Sequence, residues 1–577
     1  MASRRSGLDE LDHRSLPISR TATGQVVPSA RDRARPAHEG EDPRLGWLAS
    51  IAVFLLALFL RVWELGEPDE FAFDETYYAK DAWSLLNHGY VRDYPEEADE
   101  RIIDGTTTGL WQDDPSMIVH PEVGKWMIAL GEWAFGMDPF GWRIMAAVCG
   151  SLMVLVLCRL VRRMTGSTLF GCVAGLLLCF DGMHLVLSRL ALLDIFLAFW
   201  ILLAVACLVL DRDWMRARVV STGSTNDGSS THEAKRVRAW RPWLLAAGVC
   251  FGLAVGVKWS GLYALAAFGP LVVWWSTGAR RMAGVRRARL TGVVLDGIPA
   301  FLSLVGVAAV VYTASWAGWL VHAHEYEQSK SQTQYTQFES WAGECDDESL
   351  KGVQSDTSRQ WSTARQPDAE GVGEVVQSLH SLWLYHRDVY VFHRVFLSCA
   401  EHTYASDPLS WPLVSRPVGV NVENDIKPGD QGCRAAADSK CIREVLLIGT
   451  PVLWWGGVLA MLYAGYAFVA RRDWRYGLAV VGMLSLWLPW ERDDTRPIFL
   501  FYASAFFPFV VIAITLLLGE ILGRAPVGST RRTVGTIVAG SFIVLVLLNF
   551  AWFWPIWTNE LLTDSEWRDR IWLERWI

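Results

Sequence analysis

Long apolar segments recur along the chain and are separated by shorter polar connections. A membrane-spanning helix needs about 20 predominantly apolar residues, and eleven segments approach that length. The predicted spans cover about residues 45–65, 141–161, 168–184, 187–210, 241–257, 259–277, 295–320, 444–470, 475–490, 497–521 and 533–556. The pattern predicts an all-α polytopic membrane protein with about eleven transmembrane helices, a count good to one span.

Basic residues cluster in every second connection between these spans. Cytoplasmic loops carry the excess of Lys and Arg, so these connections are predicted to be cytoplasmic. The basic residues concerned are Arg162, Arg163, Arg212, Arg216, Arg218, Lys235, Arg236, Arg280, Arg281, Arg286, Arg287, Arg289, Arg471, Arg472, Arg475, Arg524, Arg531 and Arg532. With an odd number of spans, the N-terminus is predicted to be cytoplasmic and the C-terminus extracytoplasmic.

This alternation also sets the predicted domain organisation. A disordered cytoplasmic tail (1–44) precedes a seven-span module (45–320), which contains a large extracytoplasmic loop (66–140). A second extracytoplasmic loop (321–443), four C-terminal spans (444–556) and an extracytoplasmic tail (557–577) follow. Helix-like amphipathic runs at 75–88 and 122–136 lie in the first loop, and an aromatic run from Trp383 to His393 lies in the second.

Composition supports a membrane protein. The 577 residues are 52% hydrophobic with a mean hydropathy of +0.21, and the 31 Trp residues suit anchoring at headgroup level. The sequence contains no P-loop, dinucleotide fingerprint or Cys/His metal spacing, and nothing in it points to nucleic acid. Exported loops retain disulfides, and the second loop contains four cysteines. Cys433 and Cys441 are the closest pair in sequence; the alternative is that some of Cys345, Cys399, Cys433 and Cys441 are free thiols.

Ionisable residues gather at the predicted outer ends of the spans. They are Asp74, Glu75, His120, Arg143, Asp181, His184, Arg189, Asp194, Lys258, Asp493, Asp494 and Arg496. Four of them are cations that oppose the positive-inside bias. Each cation could simply pair with a nearby carboxylate, but a shared anionic ligand such as a lipid phosphate would account for all four.

The acidic pair Asp74 and Glu75 beside such cations indicates group transfer with a phosphate leaving group. A carboxylate can take the proton of an attacking hydroxyl while cations stabilise the departing phosphate. The pair could also bind a divalent metal, although the sequence requires no cofactor and predicts no particular metal ligand. His120 is either a satisfied interfacial histidine or a residue that supports the reaction.

Eight motifs in this order resemble those of bacterial, actinobacterial-type protein O-mannosyltransferases. They are Phe73–Tyr78 (FDETYY), His120–Trp126 (HPEVGKW), Ser188–Asp194 (SRLALLD), Lys258–Leu262 (KWSGL), Ser381–His386 (SLWLYH), His402–Trp411 (HTYASDPLSW), Ser415–Val418 (SRPV) and Arg496–Ala503 (RPIFLFYA). Each motif alone is weak, but together they are specific. The resemblance implies a GT-C glycosyltransferase architecture with an outward-facing active site under the first large loop.

The resemblance also implies a reaction and its partners. Mannose would pass from polyprenyl-phosphate-mannose, with inversion, to Ser or Thr of Ser/Thr-rich exported proteins at the plasma membrane. The bilayer, and the secretion translocon as a further candidate, are the expected surroundings.

Residue roles carried over from the family are expectations. Asp74 would be the general base and Glu75 would position the acceptor. Arg143, Arg189, Lys258 and Arg496 would bind the donor phosphate, with Asp194 holding Arg189 in place and His120 in support. Trp383 and His386 would lie on the acceptor side of a cover formed by loop 321–443.

Three departures from the family pattern and two alternatives accompany this interpretation. Glu122 stands where the family has a second Pro, and the turn 490–496 is unusually charged. The chain also lacks the β-trefoil domain of eukaryotic relatives. A GT-C transferase acting on a lipid or cell-wall glycan acceptor would share the same donor chemistry. A polytopic transporter would instead predict inverted repeats, which the sequence does not contain.

Overall fold

The computed structural model describes residues 42–222, 241–285, 287–337, 361–394, 397, 400–492 and 496–577, which are mostly helical. Within these residues, seven helices are long and apolar enough to cross a membrane: Pro43–Val62, Pro139–Thr165, Leu193–Thr222, Gly261–Met282, Ala288–Ser315, Pro451–Ala470 and Thr530–Trp557. Shorter apolar helices are Thr168–Cys179, Pro242–Val257, Phe507–Leu522 and Trp474–Trp487. Each predicted span overlaps one of these helices, with bounds that differ in several cases, while the count of eleven membrane crossings stays a prediction.

The connections contain further helices. They are Glu75–His88, Ala98–Ile103, Val123–Phe135, Gly182–Leu187, Ala317–Val321, Ala323–Gln337, Val372–Arg394 and Asp564–Arg568. The two amphipathic runs predicted in the first loop are therefore helical. Helix Glu75–His88 ends at Gly89, whose positive φ of 81° suits a C-cap that lacks a Cβ. Helix Pro139–Thr165 begins where the Asp138 carboxylate accepts from the Gly141 N–H at 2.6 Å.

A small antiparallel sheet departs from the all-α prediction. Its strands are Val418–Ile426, Cys441–Leu447 and Leu562–Thr563, in that order across the sheet. The second strand occupies the start of the predicted span 444–470, so the helix begins later, at Pro451. The residues of this strand are buried almost throughout, and a short apolar run of that kind has no periodicity that separates strand from helix.

The disulfide favoured by sequence proximity is present. Cys433 and Cys441 are bonded, with their Cα atoms 5.8 Å apart, and Cys441 is the first residue of the middle strand. The bond therefore anchors the loop before the strand. Cys345 and Cys399 lie outside the described residues.

The predicted spans 168–184 and 187–210 are interrupted where they adjoin. The helix beginning at Thr168 stops at Cys179, and the next long helix begins only at Leu193. Between them, the buried Asp181 carboxylate accepts from the Thr450 N–H at 3.0 Å and from the Trp454 indole at 2.7 Å. Asp181 thus fastens this break to the start of helix Pro451–Ala470, which is a structural role.

Candidate active site

Asp74 immediately precedes helix Glu75–His88, and its carboxylate does not bind the N–H groups of the first turn. It occupies the N-cap position but makes no side-chain capping bond; instead it accepts from the Tyr78 hydroxyl at 3.3 Å. Phe73, just before it, has a φ of 53°, a left-handed conformation that is uncommon for a non-glycine residue. This turn aims the carboxylate into a cavity.

The surroundings of Asp74 suit a base. Burial raises the pKa of Asp74 to about 6, while the nearby charge of Lys258 opposes this rise. A carboxylate with a pKa near 6 is deprotonated at neutral pH but holds a proton better than an exposed one. In the described part of the chain, Asp74 forms no salt bridge, so its charge is available to a ligand.

Glu75, the second member of the acidic pair, is fully buried, and protein donors bind both of its carboxylate oxygens. Its carboxylate accepts from Arg143 at 2.7 and 2.9 Å and from the N–H groups of Ala72 at 3.0 Å and Ala191 at 2.8 Å. Because these four donors saturate both oxygens, Glu75 has no contact left for an acceptor. The predicted role in acceptor positioning does not fit this geometry.

The Arg143 guanidinium likewise donates all its hydrogen bonds to protein acceptors. Besides Glu75, its guanidinium donates to the carbonyls of Pro68 and Glu70 at 2.8 Å each and to that of Leu65 at 3.3 Å. All five donors of the guanidinium therefore have protein acceptors, and the side chain is fully buried. Arg143 holds the chain between the first span and Asp74, which leaves no donor for the predicted phosphate contact.

Arg189 also departs from its predicted role. Its guanidinium donates to the carbonyls of Arg61 at 3.2 Å, Trp63 and Glu64 at 2.9 Å. These carbonyls lie in the last turn of helix Pro43–Val62 and just beyond it, where a basic side chain satisfies unpaired acceptors. Arg189 therefore caps the first span, and it is only 4% exposed.

Asp194 pairs with a different cation from the one predicted. Its carboxylate lies 2.7 Å from the Lys258 ammonium, and both side chains are buried. The prediction that Asp194 holds Arg189 is therefore wrong. The pair joins the start of helix Leu193–Thr222 to the turn after helix Pro242–Val257, and Lys258 also lies 5.3 Å from the ring centre of Tyr502.

Two neighbouring cavities bring the remaining candidates together. The Lys258 cavity, of about 220 Å³, is lined by Lys258 and Asp194. Apolar residues such as Leu197 and Leu262, on helices long enough to cross a membrane, complete its lining. The Asp74 cavity, of about 660 Å³, is lined by Asp74 and by residues of both large loops. Both cavities share four lining residues: His120, His393, Arg496 and Tyr502. The two chambers therefore meet between Asp74 and Lys258.

The shared wall contains an ordered pair of histidines. The rings of His120 and His393 stack with centroids 5.6 Å apart, and burial together with the neighbouring Lys258 lowers the pKa of His120 well below its usual range. His393 Nε2 lies 3.3 Å from the Val119 carbonyl, and His393 Nδ1 lies 3.4 Å from the Arg496 guanidinium. A carbonyl can only accept, so Nε2 carries the proton and Nδ1 faces Arg496 as an acceptor.

Two carboxylates that line the Asp74 cavity are paired with lysines that also line it. Asp81 pairs with Lys125 at 2.8 Å, and Asp93 pairs with Lys330 at 3.1 Å. The second pair joins the two large loops across the cavity, because Asp93 and Lys330 belong to different loops. Tyr77, Tyr94 and other rings supply the rest of a mixed polar and aromatic lining.

Trp383 and His386 do not line either cavity. Trp383 is 71% exposed on helix Val372–Arg394. His386 lies inside an aromatic cluster, where its ring contacts Trp259 and Trp316 and the Tyr312 hydroxyl. The same helix lines both cavities through His393, and the acceptor-side role of Trp383 and His386 stays a prediction.

Similarity to known proteins identifies the family. Residues 51–314 match the family described as Dolichyl-phosphate-mannose-protein mannosyltransferase, and residues 378–576 match the C-terminal four TMM region of protein-O-mannosyltransferase. A polyprenol-phosphate-mannose–protein mannosyltransferase from Mycolicibacterium smegmatis is 33% identical over 568 residues, covering 98% of each chain. The chain belongs to the protein O-mannosyltransferase family.

A second relative supports this assignment, and a solved structure has a similar fold. The protein of the same description from Mycobacterium tuberculosis is 35% identical over 542 residues, covering 92% of each chain. The structure of the S. cerevisiae protein O-mannosyltransferase Pmt1-Pmt2 complex bound to the sugar donor has a TM-score of 0.65 at 13% identity, covering 97% of this chain and 96% of that one. The predicted GT-C fold, multi-pass membrane character and glycosyltransferase class are confirmed.

Three residues of this mannosyltransferase-family site were not singled out from the sequence. Tyr78 and Tyr502 lie inside two of the resembling motifs, and His393 lies in the aromatic run of the second loop. Their motif membership was the available signal. Only the fold shows that Tyr78 contacts Asp74 and that His393 contacts Arg496.

Proposed function

We propose that this chain transfers mannose from polyprenyl-phosphate-mannose to Ser or Thr hydroxyls of exported proteins, with inversion of configuration. The observation that carries the proposal is the meeting of the Asp74 and Lys258 cavities at four shared residues. One chamber offers a base, and the other offers cations beside apolar helix surfaces. The family relatives are described as acting on a polyprenol-phosphate-mannose donor and a protein acceptor.

The donor occupies the Lys258 cavity in this proposal. Lys258 and Arg496 line it, and two cations suit the phosphate of a lipid-linked sugar. Leu197 and Leu262, on helices long and apolar enough to cross a membrane, form an apolar wall for the start of the lipid chain. Lys258 is held by Asp194 at 2.7 Å, so the phosphate meets a cation in a fixed position.

The acceptor enters through the larger Asp74 cavity. Asp74 takes the proton of the Ser or Thr hydroxyl as its oxygen forms a bond to the anomeric carbon of mannose. The bond between that carbon and the phosphate oxygen breaks, and its electron pair leaves with the phosphate. Lys258 and Arg496 stabilise the charge that develops on the leaving phosphate.

Residues behind the two cavities and on their shared wall support this arrangement. Glu75 and Arg143 fix the backbone before Asp74, and Arg189 caps the first span. His393 orients Arg496 through its Nδ1 atom, and His120 stacks on His393 as a neutral ring. These assignments replace the predicted phosphate contacts of Arg143 and Arg189 with positioning roles.

The proposed orientation follows from the same reaction. The enzyme would reside in the plasma membrane with a cytoplasmic N-terminus, and the two cavities and the C-terminus would face the extracytoplasmic side. Basic connections such as Arg162–Arg163 would then be cytoplasmic, in agreement with the positive-inside rule. Exported proteins would reach Asp74 from the side where they are released.

The test is transfer of radiolabelled mannose from polyprenyl-phosphate-mannose to a Ser/Thr-rich exported peptide. Membranes carrying wild type, Asp74→Asn and the exposed-loop control Asp104→Asn are compared. Label on the peptide with wild type and Asp104→Asn, but not with Asp74→Asn, supports the proposal. Label on an endogenous lipid or glycan and none on the peptide would favour the alternative GT-C acceptor. Equal label with Asp74→Asn would remove Asp74 as the base.

A further inference from the structure

A third cavity lies away from the proposed active site, between two helices of the second large loop. It has a volume of about 240 Å³, and its lining includes His324, Glu327, Asp368 and Glu374. The helices Ala323–Gln337 and Val372–Arg394, called here the cover helices, form two of its walls. None of these four residues lines the Asp74 or Lys258 cavity.

Three of these side chains have the geometry of metal ligands. One ligand atom each from His324, Glu327 and Asp368 lies within 4.8 Å of the other two. Ligands that share an ion with bonds of about 2.0–2.4 Å are separated by roughly 3–4.5 Å, so small side-chain movements complete such a site. Among the described residues, no other group of His, Cys, Asp and Glu side chains meets this criterion.

The sequence places two of the ligands on one helical face. His324 and Glu327 are three residues apart in helix Ala323–Gln337, and residues at i and i+3 are neighbours on a helix surface. The same i, i+3 pairing of a carboxylate and an imidazole builds metal sites inside helical bundles. Asp368 comes from the segment before the other cover helix, so the three ligands join separate parts of the loop.

Glu327 is the buried anchor of this cluster. It is 5% exposed, and its carboxylate accepts from the Ser381 hydroxyl and from the Gln377 amide at 3.3 Å. Both donors are neutral, and no Lys or Arg forms a salt bridge with Glu327 in the described ranges. A buried carboxylate with only neutral partners favours a nearby positive charge.

The contacts around the ligands resemble the outer support of a metal site. Ligating side chains are usually oriented by further hydrogen bonds. Ser381, which holds Glu327, lies 2.8 Å from the Thr363 hydroxyl. The Nε2 atom of His324 contacts the Gln328 side-chain amide, which leaves Nδ1 facing the Asp368 carboxylate at 3.1 Å. Nδ1 therefore donates to this carboxylate, and a cation that replaced the shared proton would be bound by both groups.

We propose that His324, Glu327 and Asp368 bind a divalent transition-metal ion that fastens the two cover helices together. One imidazole and two carboxylates suit Zn²⁺ better than Ca²⁺ or Mg²⁺, because those two ions prefer sites made only of oxygen ligands. The ion has a structural role, because it lies on a different wall of the loop from the reacting groups. Helix Val372–Arg394 carries Ser381 beside the ion and His393 beside Arg496, so the ion would steady the helix that bounds the active site.

Zn²⁺ binding to the purified full chain tests this site. The protein, free of a polyhistidine tag and stripped with a chelator, is titrated with Zn²⁺, and bound metal is counted by atomic emission. His324→Ala and Asp368→Asn change side chains that are 51% and 72% exposed, so both variants should fold. His380→Ala, which removes an exposed histidine from a cover helix, is the matched control.

The expected result is one Zn²⁺ per chain in wild type and in His380→Ala. The affinity should fall at least about tenfold in His324→Ala and in Asp368→Asn. Zn²⁺ should raise the thermal midpoint of wild type and of the control, but not of His324→Ala. Equal affinity in wild type and His324→Ala, or no metal retained by wild type, would overturn the proposal. These measurements need no sugar donor, so they stand apart from the mannosyl-transfer test.

Discussion

Lys258 and Asp194 form a buried ion pair, 2.7 Å from nitrogen to oxygen, on the wall of the cavity proposed to hold the donor. The two residues are 64 positions apart in sequence and belong to different helical connections. The pair therefore fixes a cation at the point where the two cavities meet. Both charges also act on Asp74: after burial, which raises its pKa, Lys258 lowers and Asp194 raises the pKa of Asp74.

Replacing Lys258 should weaken donor binding. Lys258→Met removes a phosphate contact and leaves the Asp194 carboxylate buried without its partner, a loss of about 3–5 kcal/mol in the free energy of unfolding. The double variant Lys258→Met/Asp194→Asn should regain much of that stability but not the donor affinity. Thermal unfolding and the donor KM separate the two effects. A double variant with a wild-type donor KM would mean that Lys258 does not bind the phosphate.

Activity should depend on pH through Asp74. Burial raises the pKa of Asp74 to about 6, and a general base works only when deprotonated. The value of kcat/KM should therefore fall about tenfold per pH unit below pH 6 and be level above it. Initial rates from pH 4.5 to 8 measure the profile. A limb near pH 4 would indicate a base that is not buried, and it would contradict the assignment.

Asp74 should also lower the stability of the folded chain at neutral pH. Its folded pKa of about 6 exceeds the usual 3.8, so the folded state binds the proton more tightly than the unfolded state between these values. Stability is therefore lost as pH rises from about 4 to 6, by up to roughly 3 kcal/mol. Asp74→Asn should unfold at a higher temperature than wild type at pH 7.5 and at a similar temperature near pH 4. A lower unfolding temperature at pH 7.5 would contradict this expectation.

The sequence allowed prediction of the features that are local. The acidic pair after an apolar span located Asp74, and the proximity of Cys433 to Cys441 favoured the observed disulfide. Ion pairs between residues distant in sequence could not be predicted. Asp194 was expected to pair with Arg189, five residues away, whereas it pairs with Lys258, which follows a different helix. The strand Cys441–Leu447 was hidden inside a predicted span, because a buried apolar strand and a buried helix have the same composition.

Arg143 should prove structural and not a ligand of the phosphate. Its five donors are all bound by Glu75 and by backbone carbonyls, and a lysine cannot reproduce that planar set. Arg143→Lys should therefore lower the free energy of unfolding by about 3 kcal/mol, while the folded fraction keeps a donor KM close to that of wild type. Thermal unfolding and donor titration are the measurements. A variant as stable as wild type but with a tenfold higher KM would return Arg143 to the phosphate site.

His393 should act on the donor through Arg496. Its Nε2 atom is bound to the Val119 carbonyl and its Nδ1 atom faces the Arg496 guanidinium at 3.4 Å, so the ring sets where that cation lies. His393→Ala should raise the donor KM about tenfold, the worth of roughly one charge-assisted hydrogen bond, and should also lower kcat, because Arg496 stabilises the leaving phosphate. His393→Gln, whose amide can donate to Val119 and accept from Arg496, should recover part of the loss.

A matched control and the pH profile decide whether His393 has this positioning role. His402→Ala removes another histidine that lines the Asp74 cavity but not the Lys258 cavity, and it should leave the donor KM within about twofold. If His393 orients Arg496, the acidic limb set by Asp74 stays near pH 6 in His393→Ala, because the base itself is untouched. A loss of kcat with an unchanged donor KM would mean that His393 takes part in the chemical step, since a group that positions a donor-binding cation changes donor binding as well.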